Sequence, residues 1–238
     1  MNQNRITINQ SRPIIIKIGG SVLFDDQGTF KTELMNDIMD TIAYLIEKQY
    51  KIGLVVGGGL PTRRLVNNLK HVISNQFELD HLSILLTQLH ATIVKMLLKN
   101  YTSQLVKSYD ELVGYNFEHN DLLIMGGIIP GQSTNGATAM CAEAINASII
   151  FNFFNYDKIK TINPTESKDG ADLDCITFDE LAKLINNYKQ SPGHYELFDA
   201  NALNFVKRSK IPILFVNGNT PKKIIKYING SQVGTIVQ

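Results

Sequence analysis

The chain has 238 residues, 44% of them hydrophobic and 19% charged, which is enough apolar material for a full core and excludes a mainly disordered state. Its 23 Lys and Arg against 22 Asp and Glu leave a net charge of +1, so it lacks the basic excess on which nucleic-acid and membrane-surface binders depend. Cys141 and Cys175 stand far apart without metal-ligand spacing and read as reduced structural thiols of a cytoplasmic protein, and the polar N-terminus resembles neither a signal peptide nor an anchor.

Residues 13–21, PIIIKIGGS, form a β-branched apolar run that ends in Lys17 and a Gly-Gly-Ser turn. Such a run reads as a strand buried on both faces, with the glycines at its carboxyl end, where open α/β sheets place ligands. Glycine N–H groups without a flanking Cβ, beside a mobile ammonium, suit phosphate. Residues 30–48 carry Leu34, Ile38, Ile42, Leu45 and Ile46 at helical spacing. Residues 51–59, KIGLVVGGG, repeat the strand-then-glycine device, and Pro61 marks a helix start just before Arg63 and Arg64.

Asp80 is a plausible N-cap for a long helix that includes the apolar segment 82–98, which Thr87, Gln88, His90 and Lys95 interrupt too often for a membrane span. Ser108 and Glu111 match a capping box. Residues 121–131, DLLIMGGIIPG, give a third strand stopping at paired glycines, and three such edges in one parallel sheet would converge on one polyanion site. Asn135 could cap a helix over 136–145, and 148–153 is the next strand. The stretch 155–174 is polar and turn-rich, Thr177 and Glu180 open a capped helix, and 191–196 reads as a loop. A helix over 197–208, a strand over 211–216, a helix from Thr220-Pro221 and a strand over 233–237 follow. The alternation predicts an α/β fold, a three-layer αβα sandwich on a mainly parallel central sheet, in one domain.

The ordered motifs resemble the amino acid kinase superfamily, and within it uridylate kinases of the archaeal type. They are KIGGS at 17–21, VVGGG at 55–59 with Arg63, Asp80-His81, Thr87, GGIIPGQSTN at 126–135, Asn155, Asp157, Pro164, Asp199 and Gly234-Thr235. The resemblance implies transfer of the terminal phosphoryl group of ATP, with Mg²⁺, to a nucleoside monophosphate such as UMP, in an acceptor lobe of about 1–147 joined to a nucleotide lobe of about 148–238. Lys17, Asn135 and Asp199 would occupy the catalytic positions, with no protein-held metal. Gly19, Gly20, Ser21, Asn155, Asp157, Asn163 and Pro164 would hold ATP. Gly57, Gly58, Gly59, Arg63, Asp80, Thr87, Gly127 and Thr134 would hold the acceptor. Partners would be a small phosphorylated substrate and further copies of the chain, as a dimer or hexamer, with no nucleic acid or membrane; the helix from Phe30 is one candidate for the interface.

Four motifs depart from the family pattern. Ser133-Thr134-Asn135 replaces Thr-Thr-Asp, Lys158 stands for a glycine at the ATP edge, Phe154 for a Thr and His90 for an Asn. These changes fall on the chemistry and the ATP edge, and Asn135, Phe154 and Lys158 motivate as an alternative a binding or storage protein similar to the molybdenum storage proteins; a kinase for another phosphorylated acceptor is a further one, since Asp80 and His90 do not fix the base. Bland readings stand beside the functional ones. Arg64 is surface by default, His90 a satisfied core histidine, Lys158 and Lys160 a solvated strand face, and Asp199 a carboxylate favoured at a helix start.

Overall fold

Isoleucines fill β1 (Ile14–Ile18) except at Lys17, and both of its faces are covered, so Lys17 is the one residue of the strand that is not fully buried. In the computed structural model, which describes residues 6–187 and 197–238 except Thr165 and Lys168, the chain continues through α1 (Gly20–Leu23), α2 (Thr32–Glu47), β2 (Ile52–Val56), α3 (Gly59–Leu69) and α4 (Gln76–Leu97). Next come β3 (Ser103–Val106), α5 (Tyr109–Val113), β4 (Leu122–Met125), α6 (Thr134–Ala144) and β5 (Ile149–Phe154). A short ribbon, β6 (Ile159–Lys160) and β7 (Asp172–Leu173), precedes β8 (Cys175–Ile176), α7 (Phe178–Asn187), α8 (Ala200–Ser209), β9 (Ile213–Asn217), α9 (Lys223–Ile228) and β10 (Thr235–Val237). The 191–196 loop lies outside the described residues.

The main sheet runs β3-β4-β2-β1-β5-β9-β10-β8, and every neighbouring pair is parallel except β9 with β10. Alternation along the strands sorts side chains into two cores. Ile14, Ile16 and Ile18 pack with Met35, Ile38 and Ile42 of α2 and Val94 of α4, whereas Ile15, Val55 and Ile150 pack with Ala137 and Cys141 of α6 and Val206 of α8. Helices thus cover both faces, and the three-layer αβα sandwich with a mainly parallel sheet is observed.

Two helix caps differ from expectation, and the helices expected from 197 and from Thr220-Pro221 begin only at Ala200 and Lys223. Asp80 is not the cap of α4: Asn75 Oδ1 accepts from Phe77 N at 3.0 Å, and Asp80 lies in the second turn. The first turn of α4 buries almost nothing before Leu79, so the apolar pattern begins later than the helix. Asn135 is likewise not the cap of α6, because Ser133 Oγ accepts from Gly136 N at 3.0 Å and Asn135 is buried inside the first turn. The caps at Ser108 and Thr177 form as expected. β3 was not anticipated, its SQLV sequence being short and half polar, nor was β7; the strand face expected at Lys158 and Lys160 forms around β6, and Lys158–Asp174 and Lys160–Asp172 ion pairs fasten the ribbon from the outside.

Candidate active site

β4, β2 and β1 are adjacent and parallel, with Met125, Val55 and Lys17 in one row, so the glycines that follow them leave the sheet on the same rim. The first two turns touch without side chains between them. A Cβ added to Gly20 would lie 1.9 Å from Gly59 N, and Gly59 itself has φ +68°, a conformation that disfavours any other residue. Helix α4 ties down the second and third edges. Thr87 Oγ1 accepts from Gly127 N at 2.8 Å, and His90 Nδ1 meets the Gly57 carbonyl at 3.1 Å. Burial lowers the pKa of His90, so the neutral ring donates its Nδ1–H to that carbonyl; the reading as a satisfied core histidine is correct.

Against this rim lies a cleft of about 630 Å³, and seven of the eight positions expected to hold the acceptor line it: Gly58, Gly59, Arg63, Asp80, Thr87, Gly127 and Thr134. The eighth, Gly57, sits just behind, with Thr134 Oγ1 3.1 Å from where its Cβ would be. Arg63 is exposed and has no hydrogen-bond partner among the described residues, and it also walls a second cleft of about 470 Å³ that holds Ser21 and Asn155. Thr62 and Gln132 also line the first cleft, each with a buried side-chain oxygen, Oγ1 and Oε1, that has no partner among the described residues. Neither residue type carries a signal in the sequence that would have singled it out.

Lys17 lies opposite Asn152 in the β1–β5 register and donates to its Oδ1 at 3.1 Å, while Asn152 Nδ2 faces Asn135 Oδ1 at 3.5 Å. Asp199 caps α8 through Ala202 N at 2.9 Å, and its other oxygen accepts from Ser133 Oγ at 2.5 Å. One carboxylate therefore joins the starts of α8 and α6, just before Thr134.

The residues expected at the ATP edge are less tightly gathered. Asp157 is taken by Lys223 and by Asn217 Nδ2 at 3.1 Å, and both hold its carboxyl below the usual range, Lys223 most. The Asn163 carbonyl accepts from Glu166 N at 2.9 Å at the turn that includes Pro164, and Asp157, Asn163 and Pro164 line neither cleft. Lys158 is drawn onto Asp174, and Phe154 is buried between Tyr156 and Phe215, with ring centroids 6.1 and 5.6 Å away. Among the described residues no group of three or more His, Cys, Asp or Glu could hold a metal ion.

Residues 12–217 match the family described as the amino acid kinase family. The chain belongs to that family. Among curated relatives of this chain, the uridylate kinase of Ignicoccus hospitalis is 30% identical over 235 residues, covering 95% of this chain and 99% of its own. That of Methanobrevibacter smithii is 29% identical, covering 94% and 98%. The crystal structure of uridylate kinase from Archaeoglobus fulgidus superposes with a TM-score of 0.82 at 24% identity, covering 95% of this chain and all of that one, and establishes the shared fold. No helix among the described residues is long and apolar enough to cross a membrane.

Proposed function

We propose that this family member transfers the terminal phosphoryl group of ATP to UMP, giving UDP and ADP. The observation that carries the reading is Arg63, an uncommitted guanidinium in the wall shared by two clefts at the meeting point of the glycine turns. In this reading an oxygen of the acceptor's phosphate, forked by Arg63, attacks the γ-phosphorus while the bond to the ADP oxygen breaks. Lys17, with the Gly19, Gly20 and Gly57–Gly59 amides, spreads the charge of the moving group. The chain supplies position and charge, so no covalent intermediate is needed.

In this reading ATP takes the second cleft, which Ser21 and Asn155 line, with Gly19 and Gly20 directly before Ser21 in the chain; Asp157, Asn163 and Pro164, expected at the ATP edge, lie outside that cleft. Mg²⁺ would arrive on the ATP phosphates and neutralise them there. Asp80, Thr87, Gly127 and Thr134 complete the acceptor wall, and Asp199 holds Ser133 and hence Thr134 in place. The acceptor lobe of about 1–147 and the nucleotide lobe of about 148–238 form one domain on a continuous sheet. We place the protein in the cytoplasm, as a homo-oligomer. UMP itself is carried over from the relatives' names.

A coupled assay over the nucleoside monophosphates with ATP and Mg²⁺ tests this. UMP is expected to turn over fastest, and Lys17→Ala to lower the rate at least about a hundredfold, a loss within the range of one electrostatic stabiliser. No turnover with any acceptor would remove the reading. The replacement of a carboxylate by Asn135 favours anion storage as the second reading, which thermal stabilisation by molybdate or phosphate but not by ATP would support.

A further inference from the structure

We propose that Asn152 is the positioning residue that aims Lys17, and that Asn135 acts through Asn152 and not on the substrates; this rests on the kinase reading above. Asn152 is 1% exposed on a central strand, between Phe151 and Phe153. An amide buried there is costly unless both of its ends are bonded. Both are. Lys17 and Asn152 pair directly across the ladder, and each lies on the face covered by α6, since Ile15, Ile150 and Phe154 all pack into the core that includes Ala137 and Cys141. Asn135, 4% exposed in the first turn of α6, is the residue above them.

The direction of this chain of dipoles is fixed from the lysine outward. An ammonium only donates, so the amide must turn its oxygen to Lys17 Nζ, which it does at 3.1 Å. Its NH₂ then requires an acceptor, and Asn135 Oδ1 stands 3.5 Å away. An Asn at 135 therefore keeps the amide oriented. Lys17 has a long flexible stem, and its Nζ rests 3.6 Å from where a Gly19 Cβ would be, over the first glycine turn. Losing the strand-borne anchor would shift the ammonium relative to the transferred phosphoryl group, and a displacement of about 1 Å costs up to about a hundredfold in rate.

The variants are Asn152→Ala, the isosteric Asn152→Asp, which keeps the shape of the site, Asn135→Ala and the double Asn135→Ala/Asn152→Ala. For each, kcat, the KM for each substrate, Tm and the affinity for inorganic tripolyphosphate are measured. The expected result is a kcat for Asn152→Ala lower by about ten- to a hundredfold with the acceptor KM within about twofold, which a loss of packing alone would not produce. Asn152→Asp, folded with an unchanged Tm, should bind tripolyphosphate at least about tenfold more weakly, because its carboxylate competes with the phosphates for the ammonium. The double variant should be no slower than Asn152→Ala alone. A wild-type kcat in folded Asn152→Ala, an unchanged tripolyphosphate affinity in Asn152→Asp, or additive losses in the double variant would each overturn the proposal. If the wild type transfers to no acceptor, the kinase reading falls by itself. The tripolyphosphate affinities then decide: a loss in both Asn152 variants upholds the anchoring of Lys17, and equal affinities overturn it.

Discussion

Arg63 and Arg64 leave α3 about 100° apart, and that angle separates their duties. Arg64 donates to the carbonyls of Gln27 at 2.6 Å and Asp26 at 3.1 Å, pinning the loop after α1, and lines only the second cleft, whereas Arg63 lines both. Losing a charge-assisted contact costs about 2 kcal/mol, so Arg63→Ala should raise the KM for the acceptor about thirtyfold. Arg63→Lys should fall between, keeping the charge without the fork. Arg64→Ala should leave the acceptor KM within about twofold; steady-state kinetics on the three proteins checks the contrast. Resemblance had singled out Arg63, and no property of the residue itself could have. Thr62 shows the limit of such reading, since a threonine in the first turns of a helix is unremarkable until its hydroxyl is seen buried at the cleft with no partner among the described residues.

Helix α4 is the element that organises the rim, because Thr87 and His90, three residues apart on one face, hold two glycine edges at once. His90 prefers to be neutral in its buried place, so its folded pKa lies below the ordinary value of 6.5. The stability it contributes is complete above pH 6.5 and is lost as the pH falls through the folded pKa, when the ring must take a proton without solvent. The wild type should therefore lose Tm between about pH 6.5 and 5 more steeply than His90→Asn, each 1 kcal/mol appearing as about 2–4 °C at this chain length. Parallel slopes in a thermal-shift series would show that the ring does not titrate in that window. The strands and most helices were legible because buried parallel strands are unbroken apolar runs and amphipathic helices repeat every three to four residues. Where an element had no buried face of its own, as in β3 or the first turn of α4, periodicity had nothing to register, and of three adjacent capping types at 133–135 only the coordinates could choose Ser133.

At the scale of the molecule, the apolar face of α2 is consumed within the chain, since Met35, Ile38, Ile42 and Leu45 are buried against the sheet. The helix from Phe30 is therefore not the outward-facing one. Helix α4 instead presents Phe77, Leu85, Leu89 and Met96, from 49% to 69% exposed, on roughly one side. For the proposed homo-oligomer this side is the better interface, and Leu85→Lys/Leu89→Lys should shift the wild-type assembly toward smaller species in light scattering while leaving Tm at low concentration nearly unchanged. An unaltered mass would move the interface elsewhere. Sequence could suggest assembly but not the helix, because an apolar stripe looks the same whether its cover comes from the same chain or another.

The seam between Gly20 and Gly59 has an effect on how this scaffold can change. Backbone lies directly on backbone there, so neither position has a side chain that could be enlarged, trimmed or rotated to alter the gap. Retuning for a bulkier or smaller guest must happen on the outer walls, at residues such as Ile84 and Ile129. The spacing of the first two glycine turns is set by main-chain atoms, and a lineage that altered its guest would carry that spacing along unchanged.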